Sequence, residues 1–369
     1  MRIGIDLTAC WRQRVGMVTF ALGLTEALLE GPDEHSYTLF CSRERPPGLV
    51  VPPAAERRLG TVLSPHRHEV RNKLQWLPTV EAEVGADVML YPYWPAPPRR
   101  RLQAPPAITM VHDLAYRVRP DEVPWQQRLY LGSLLPGALR RSAAVLAPSE
   151  ATRLDVLDAY PARGLEQRLH VVSEGPGIGG TDPSPLPDGL EPGFLLVVGT
   201  IEPRKNLPRL LAAHQLLRAR RPVPPLVVAG RVGWAYGDAL DLLRADPAVR
   251  LLGHVDDATL ATLYRSASLL AFPSLYEGFG LPLLEAMLAG LPALIGNAGS
   301  LPELAGGAAL QVDPLDADSI AGGLDRLLDD KALRRRLTAR GRRRAAAYTW
   351  RAVADRVLAT AASAVSSRR

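Results

Sequence analysis

Four places in this 369-residue chain put reactive or small residues where an apolar run ends. In LLVVGTIEPRKNLPRLLAAH, an apolar run passes into Gly199, then a loop carrying Arg204 and Lys205, then a helical pattern. Two adjacent cations at the carboxyl end of a strand, close to a helix N-terminus, make a place for a diphosphate. The loop has neither the GxxxxGK[ST] of a P-loop nor the GxGxxG of a dinucleotide fold, and a bare Arg-Lys pair is more often surface charge. In PSLYEGFGLPLLEAMLAG, Glu277 precedes Gly278, Phe279 and Gly280, Pro282 falls in the first turn of a helix, and Glu285 follows one turn in. The glycines let backbone amides approach a ligand, the helix dipole favours an anion, and carboxylates suit paired hydroxyls. Taken singly, these are an ordinary loop acid and an ordinary first-turn acid. In VHDL, His112 and Asp113 end a strand, where a histidine either faces a ligand or is a satisfied structural residue. At the chain start, Ile3–Leu7 leads into a loop containing Gly16, a phosphate or acceptor contact or simply a turn.

The elements that must carry these residues alternate strand and helix. Apolar runs at Ile3–Leu7, Tyr37–Cys41, Val88–Tyr91, Ala107–Val111, Ala144–Ala147 and Leu169–Val172 read as buried parallel strands. Helical patterns at Thr19–Leu29, Arg71–Val84, Trp125–Arg141 and Ser149–Tyr160 lie between them, the last with Ser149 as N-cap. Residues 174–193 are Gly/Pro/Asp-rich and aperiodic, which marks a linker. Beyond it come Phe194–Val198, Leu226–Ala229, Val249–Leu252, Leu269–Ala271, Pro292–Ile295 and Ala309–Val312, then amphipathic helices from Ser319 onward. The expected fold is α/β: two Rossmann-like parallel-sheet domains facing each other across a cleft. Their expected bounds are 1–173, a linker at 174–193, 194–345, and a C-terminal helix over 346–369 able to pack back on the first domain. Ligands of such sheets bind beyond the carboxyl ends of the strands.

Length and composition agree with two folded domains: 47 % of residues are hydrophobic and 22 % charged, which excludes a disordered chain. The net charge of +6 suits a phosphorylated ligand, an anionic membrane or a nucleic acid, and cannot choose among them alone. The arginine runs Arg99–Arg101 and Arg334–Arg344 read as solvated loop or helix face. No recognition motif accompanies the arginine-rich tail, so no nucleic-acid partner is expected. Cys10 and Cys41 lack metal or redox spacing and imply free thiols in a reducing compartment. There is no signal-peptide pattern at MRIGIDLTAC and no bilayer-length apolar run, so a cytoplasmic protein is expected, with peripheral contact on the inner face of the membrane open to it. For that contact the face is Arg67, Arg71 and Lys73 with Trp76 and Leu77, which would dock on an anionic surface; a solvated helix face is the alternative. HRHE at His66–Glu69 has no partner cluster and reads as a basic loop, not a metal site.

In combination, GTIEPRKNL (199–207), GHVDDATLATLYRSASLLAFPSLYEGFGLPLLEAMLAGLP (253–292), SLPELAGGAAL (300–310) and VHDL (111–114) resemble the family 4 retaining glycosyltransferases of the GT-B fold. The resemblance covers nearly the whole chain, and the EPRKN and EGFGLP forms look most like members that transfer mannose from GDP-mannose in bacterial polysaccharide synthesis. It implies a nucleotide-sugar donor, a glycan or lipid-linked acceptor, and no cofactor or metal. It also implies roles. Arg204 and Lys205 would neutralise the diphosphate, and Gly199 would belong to the same loop. Backbone over Gly278, Phe279, Gly280 and Leu281 would hold phosphates and sugar. Glu285 would take the ribose hydroxyls, Glu277 the sugar hydroxyls, and His254 and Val255 would lie by the base. His112 would stand near the sugar, and Gly16 would close over phosphates or acceptor. The Asp256-Asp257 pair reads as a helix N-cap. Attack on the same face as the leaving group is implied, so Glu277 is not assigned as a covalent nucleophile. Two departures from the family pattern stand out: Arg14-Val15-Gly16 replaces a Gly-x-Gly in the first loop, and Ser173-Glu174-Gly175 replaces an Asn-Gly turn after the last strand of the first domain. A nucleotide-sugar epimerase of similar fold, and a non-catalytic glycan or nucleotide-sugar binder, are the rival readings.

Overall fold

The computed structural model describes the chain except residues 12–15, 67–68, 94, 98–103, 179–183, 235–236 and 368–369. Arg14 and Val15, the Arg67-His68 centre of HRHE, the Arg99–Arg101 run and part of the 174–193 linker therefore lie outside the described residues. The chain divides into two compact units.

The first unit comprises Met1–Leu114, Gln126–Gly177 and Tyr348–Arg369. Its sheet holds seven parallel strands: β1 (Arg2–Asp6), β2 (Ser36–Ser42), β3 (Leu59–Ser64), β4 (Val88–Tyr91), β5 (Ala107–Met110), β6 (Ala144–Ala147) and β7 (Leu169–Val171), in the order β3-β2-β1-β4-β5-β6-β7. Ile3 pairs with Tyr37 on one side and Val88 on the other, so the winding reverses at β1/β4. The apolar runs become strands because both faces are covered: Ile3, Ile5, Leu39, Val88 and Ile108 pack with Phe20, Leu24 and Leu28 of the Gly16–Glu30 helix and with Val353 and Val357 of the Trp350–Ser366 helix. Ser149 caps the Glu150–Ala159 helix by accepting from the Thr152 amide.

Two expectations are corrected here. Strand β3 was not foreseen, because it is a half-exposed sheet edge and carries no apolar run. The helix expected over Arg71–Val84 is broken into a helical turn at Glu69–Arg71, a π-helical stretch at Asn72–Trp76 and a short helix at Leu77–Val80. Pro78 cannot donate to the carbonyl four residues back, and Asn72 and Lys73 turn inward to polar partners. The Asn72 amide donates to Ser42 Oγ at 2.6 Å, and Lys73 Nζ lies 2.8 Å from Asp6 and 4.5 Å from the centre of the Tyr91 ring. Lys73 and Leu77 are thus buried and cannot belong to the membrane-facing surface proposed for them.

The second unit comprises Ala115–Trp125 and Ile178–Ala347. Its six parallel strands are β8 (Leu195–Val198), β9 (Leu226–Ala229), β10 (Val249–Gly253), β11 (Leu269–Phe272), β12 (Ala293–Gly296) and β13 (Leu310–Val312), in the order β10-β9-β8-β11-β12-β13. All six coincide with the expected runs. The winding reverses at β8/β11. The Arg334–Arg344 run is not merely a solvated face: Arg334 donates to the Leu328 carbonyl at 2.6 Å and Arg344 to that of Glu303 at 2.6 Å, capping the ends of two neighbouring helices. Cys10 and Cys41 are free and buried, and burial pushes the Cys41 thiol up to about 12. Among the described residues no helix is long and apolar enough to cross a membrane.

Trp350, at the start of the last helix, is wedged between two glycines of the first unit. A Cβ on Gly23 would stand 2.4 Å from its ring and one on Gly175 2.5 Å, and its indole N–H donates to the Pro176 carbonyl at 2.9 Å. Trp350→Ala should therefore cost the first unit about 3–5 kcal/mol, read as an earlier urea transition in far-UV circular dichroism.

Candidate functional site

In the second unit the order β8-β11 places the loops that follow these strands side by side at the point where the winding reverses. The first loop leaves the sheet through Gly199 at φ 132°, a conformation open to glycine. Its carbonyl is so close to the next loop that a Cβ on Gly230 would lie 1.8 Å from it. A 3-10 turn at Pro203–Lys205 then ends at Asn206, left-handed at φ 61°. The Asn206 amide donates to the Pro273 and Pro314 carbonyls at 3.1 and 2.6 Å, tying this loop to those beyond β11 and β13.

This brings Arg204, Lys205 and Glu277 together. Lys205 Nζ is 2.6 Å from Glu277 Oε1, and the Arg204 guanidinium 2.7 Å from Oε2. Arg204 also donates to the Tyr276 carbonyl at 3.3 Å, and its Nε lies 2.5 Å from Glu202. Burial would raise the Glu277 carboxyl, but the charges of Arg204 and Lys205 outweigh it and hold the group below its ordinary value. Burial lowers Lys205, with Glu277 opposing that shift. The two groups are thus poised as an ion pair in a site with little water.

The second loop is held by Ser300, whose hydroxyl lies 2.7 Å from the Phe279 carbonyl and 3.0 Å from that of Glu277. Beside it Gly299 is left-handed at φ 59°, and a Cβ there would meet the Glu277 amide nitrogen at 2.9 Å. Gly278 and the buried Phe279 lead to Gly280, which caps the helix Leu281–Ala289 at φ 106°, with Pro282 in the first turn. Glu285 falls inside that helix, buried, and accepts from the Tyr264 hydroxyl at 2.8 Å. Burial, then the Glu285 charge, holds the Tyr264 phenol well above its ordinary range, so it remains a donor. Tyr264 belongs to the helix Asp257–Ser266, which follows His254 and Val255 and is capped by Asp256 accepting from the Thr259 amide at 2.8 Å. The N-cap reading of the Asp pair holds. His254 is exposed and lies beyond the edge strand β10, two strands from β8. Among the described residues no group of three or more His, Cys, Asp or Glu could hold a metal ion.

In the first unit His112 follows β5. Its Nε2 is 2.7 Å from the Pro92 carbonyl, its Nδ1 3.3 Å from Glu174 Oε1, and its ring meets Phe20 edge-on at 5.1 Å. Gly16 begins the helix that carries Phe20 and is exposed. Glu202, Tyr264 and Glu174 were not singled out as site residues. Glu174 had a signal, as the residue standing where an Asn is common. Tyr264 had none, because its partner is set by tertiary packing, whereas Glu202 stands two residues before Arg204 in the same motif.

Two parallel-sheet Rossmann-like units with this loop constellation define a glycosyltransferase of the GT-B class. The family model described as Glycosyltransferase Family 4 matches residues 15–176, and that described as Glycosyl transferases group 1 matches residues 182–344. The chain is 34 % identical to O-antigen chain mannosyltransferase B of Escherichia coli over 254 residues, 66 % of this chain and 67 % of that protein. It belongs to the family 4 glycosyltransferases. It is also 32 % identical to the MMP alpha-(1->4)-mannosyltransferase of Mycolicibacterium hassiacum over 62 % of this chain and 56 % of that protein, so the match spans little more than half of this relative. In fold it is similar to sucrose-phosphate synthase from Thermosynechococcus elongatus, with a TM-score of 0.73 at 20 % identity over 99 % of each chain.

The Glu277 ion pair sets a pH dependence. A carboxyl held below its ordinary value of 4.5 contributes stability that is present above that value and lost as pH falls through the lower folded one. Glu277→Gln leaves Lys205 buried without its carboxylate and should cost about 3–5 kcal/mol at pH 7. In urea titrations across pH 3–6, this variant should lose part of the wild type's acid-side decline.

Proposed function

We propose that this glycosyltransferase moves a mannosyl group from GDP-mannose to a glycan or lipid-linked acceptor in bacterial polysaccharide synthesis. We further propose that it does so with retention of configuration and without a metal or cofactor. The observation that carries the reading is the meeting of Lys205, Arg204 and Glu277 at the carboxyl ends of β8 and β11, beside the glycine-capped Leu281–Ala289 helix. The 34 % identity to a mannosyltransferase of O-antigen synthesis supports the sugar and the pathway class. Buried free thiols suit work in the cytoplasm.

In this reading both Glu277 oxygens are committed to cations until the donor arrives. The donor diphosphate takes over hydrogen bonds of Arg204 and Lys205, which releases Glu277 oxygens to hydroxyls of the sugar. The loop leaving Gly199 positions those cations. Amides over Gly278, Phe279, Gly280 and Leu281, at a helix N-terminus, add favourable potential for the anion. Glu285, fixed by the Tyr264 hydroxyl, takes the ribose hydroxyls. His254 and Val255 lie by the base, Gly16 by the phosphates or acceptor, and His112 by the sugar. The bond from the anomeric carbon to the phosphate oxygen breaks through an oxocarbenium-like state, and the acceptor oxygen bonds to that carbon from the same face. The acceptor proton passes to the departing phosphate oxygen, giving the glycoside and GDP. Catalysis is then positioning and stabilisation of the diphosphate's charge.

A thermal-shift panel of GDP-mannose, UDP-glucose, UDP-N-acetylglucosamine, dTDP-glucose and NAD, with and without magnesium, tests the donor. GDP-mannose at a hundredfold excess over its Kd should add about 2.7 kcal/mol with no need of magnesium. Stabilisation by another nucleotide-sugar alone would replace the donor, and a response to NAD alone would overturn the reading. Lys205→Ala should lower transfer by about a hundredfold or more with the fold intact; near-normal turnover would remove the phosphate role.

A further inference from the structure

The environment of His112 contains a carboxylate that the transfer chemistry above does not use. The Pro92 carbonyl can only accept, so the hydrogen between it and Nε2, at 2.7 Å, belongs to the ring. On the other side Nδ1 faces Glu174 Oε1 at 3.3 Å, with side-chain exposures of 10 % and 6 %. The carboxyl and the ring nitrogen are thus within hydrogen-bond distance of each other. Both ring nitrogens are therefore engaged, and the Phe20 edge at 5.1 Å limits rotation of the ring.

Glu174 is itself fixed from outside its loop. Gly175 lies under the Trp350 ring so closely that no side chain fits, and the indole N–H holds the Pro176 carbonyl at 2.9 Å. Phe20 completes the cluster, 6.0 Å from Trp350 and in contact with His112. The last helix thus clamps residues 175 and 176, and the clamp sets the carboxylate on the histidine.

We propose that Glu174 is a positioning residue for sugar transfer that acts through His112, fixing the ring plane and the hydrogen bond at Nδ1. This rests on the transferase reading, in which His112 stands by the sugar. With Nε2 anchored on main chain and Nδ1 on a carboxylate, the ring meets a ligand in one orientation, without a search among rotamers and tautomers.

The test combines kinetics with a signal that needs no substrate. Glu174→Ala should lower kcat about tenfold or more while the donor KM changes less than about threefold, and Glu174→Gln should recover part of the loss. Because the effect passes through His112, the His112→Ala/Glu174→Ala double variant should be no slower than His112→Ala alone. An undiminished kcat in Glu174→Ala, or a loss that multiplies onto that of His112→Ala, would overturn the proposal. In NMR of the full chain, the Nε2–H of His112, held on the Pro92 carbonyl, should be protected from solvent exchange in the wild type and in Glu174→Gln, and lose that protection in Glu174→Ala. Should the wild type transfer no sugar from any donor, the transferase reading fails, and the exchange signal still decides the pair: unchanged protection in Glu174→Ala would show that Glu174 does not hold the ring.

Discussion

A carboxylate with almost no access to water cannot stay charged without partners, and Glu277 finds two. Much of the second unit follows from that requirement. Lys205 and Arg204 come from the loop after β8 and Glu277 from the loop after β11, so those strands must be neighbours. The loops must also run unusually close to their surroundings, which accounts for Gly199, Gly230 and Gly299 at positions where a Cβ would strike backbone or the lysine itself. Asn206 accepts a left-handed backbone, and its amide binds the carbonyls of two other loops.

The first unit meets a related requirement differently. Its buried polar side chains pair as well, Lys73 with Asp6 and His112 with Glu174, each joining a side chain from a loop or irregular helix to the carboxyl end of the sheet. The π-helical stretch at Asn72–Trp76 is the backbone's accommodation to the first of these pairs, since a regular helix would carry Asn72 and Lys73 away from partners on β1 and β2. In both units polar side chains at the carboxyl ends of the strands are set by hydrogen bonds at more than one end.

What could be read from sequence was whatever repeats or clusters locally. Twelve of the thirteen strands are short apolar runs visible without a structure, and Ser149 and Asp256 announce their caps by position. Arg204, Lys205 and Glu277 could be singled out because they sit in two motifs at strand ends, but the ion pairs that join them could not be read from either motif. Strand β3 was not, because an edge strand with mixed exposure has no periodic signature. Lys73 and Leu77 looked like a surface stripe because a helix was assumed to continue through Pro78. Tyr264 on Glu285 and Trp350 on Gly175 join residues far apart in the chain, and no local pattern records such contacts.

The helix that carries Trp350 has a consequence for the making of the protein. The first unit takes its residues from the beginning, the middle and the last stretch of the chain, with the second unit's 178–347 lying between. Domains usually fold as they leave the ribosome, the earliest first. Here the order is inverted: the second unit can close while synthesis is still under way. The first lacks the Trp350 side chain that fills the space between Gly23 and Gly175 until residues 348–366 have been made.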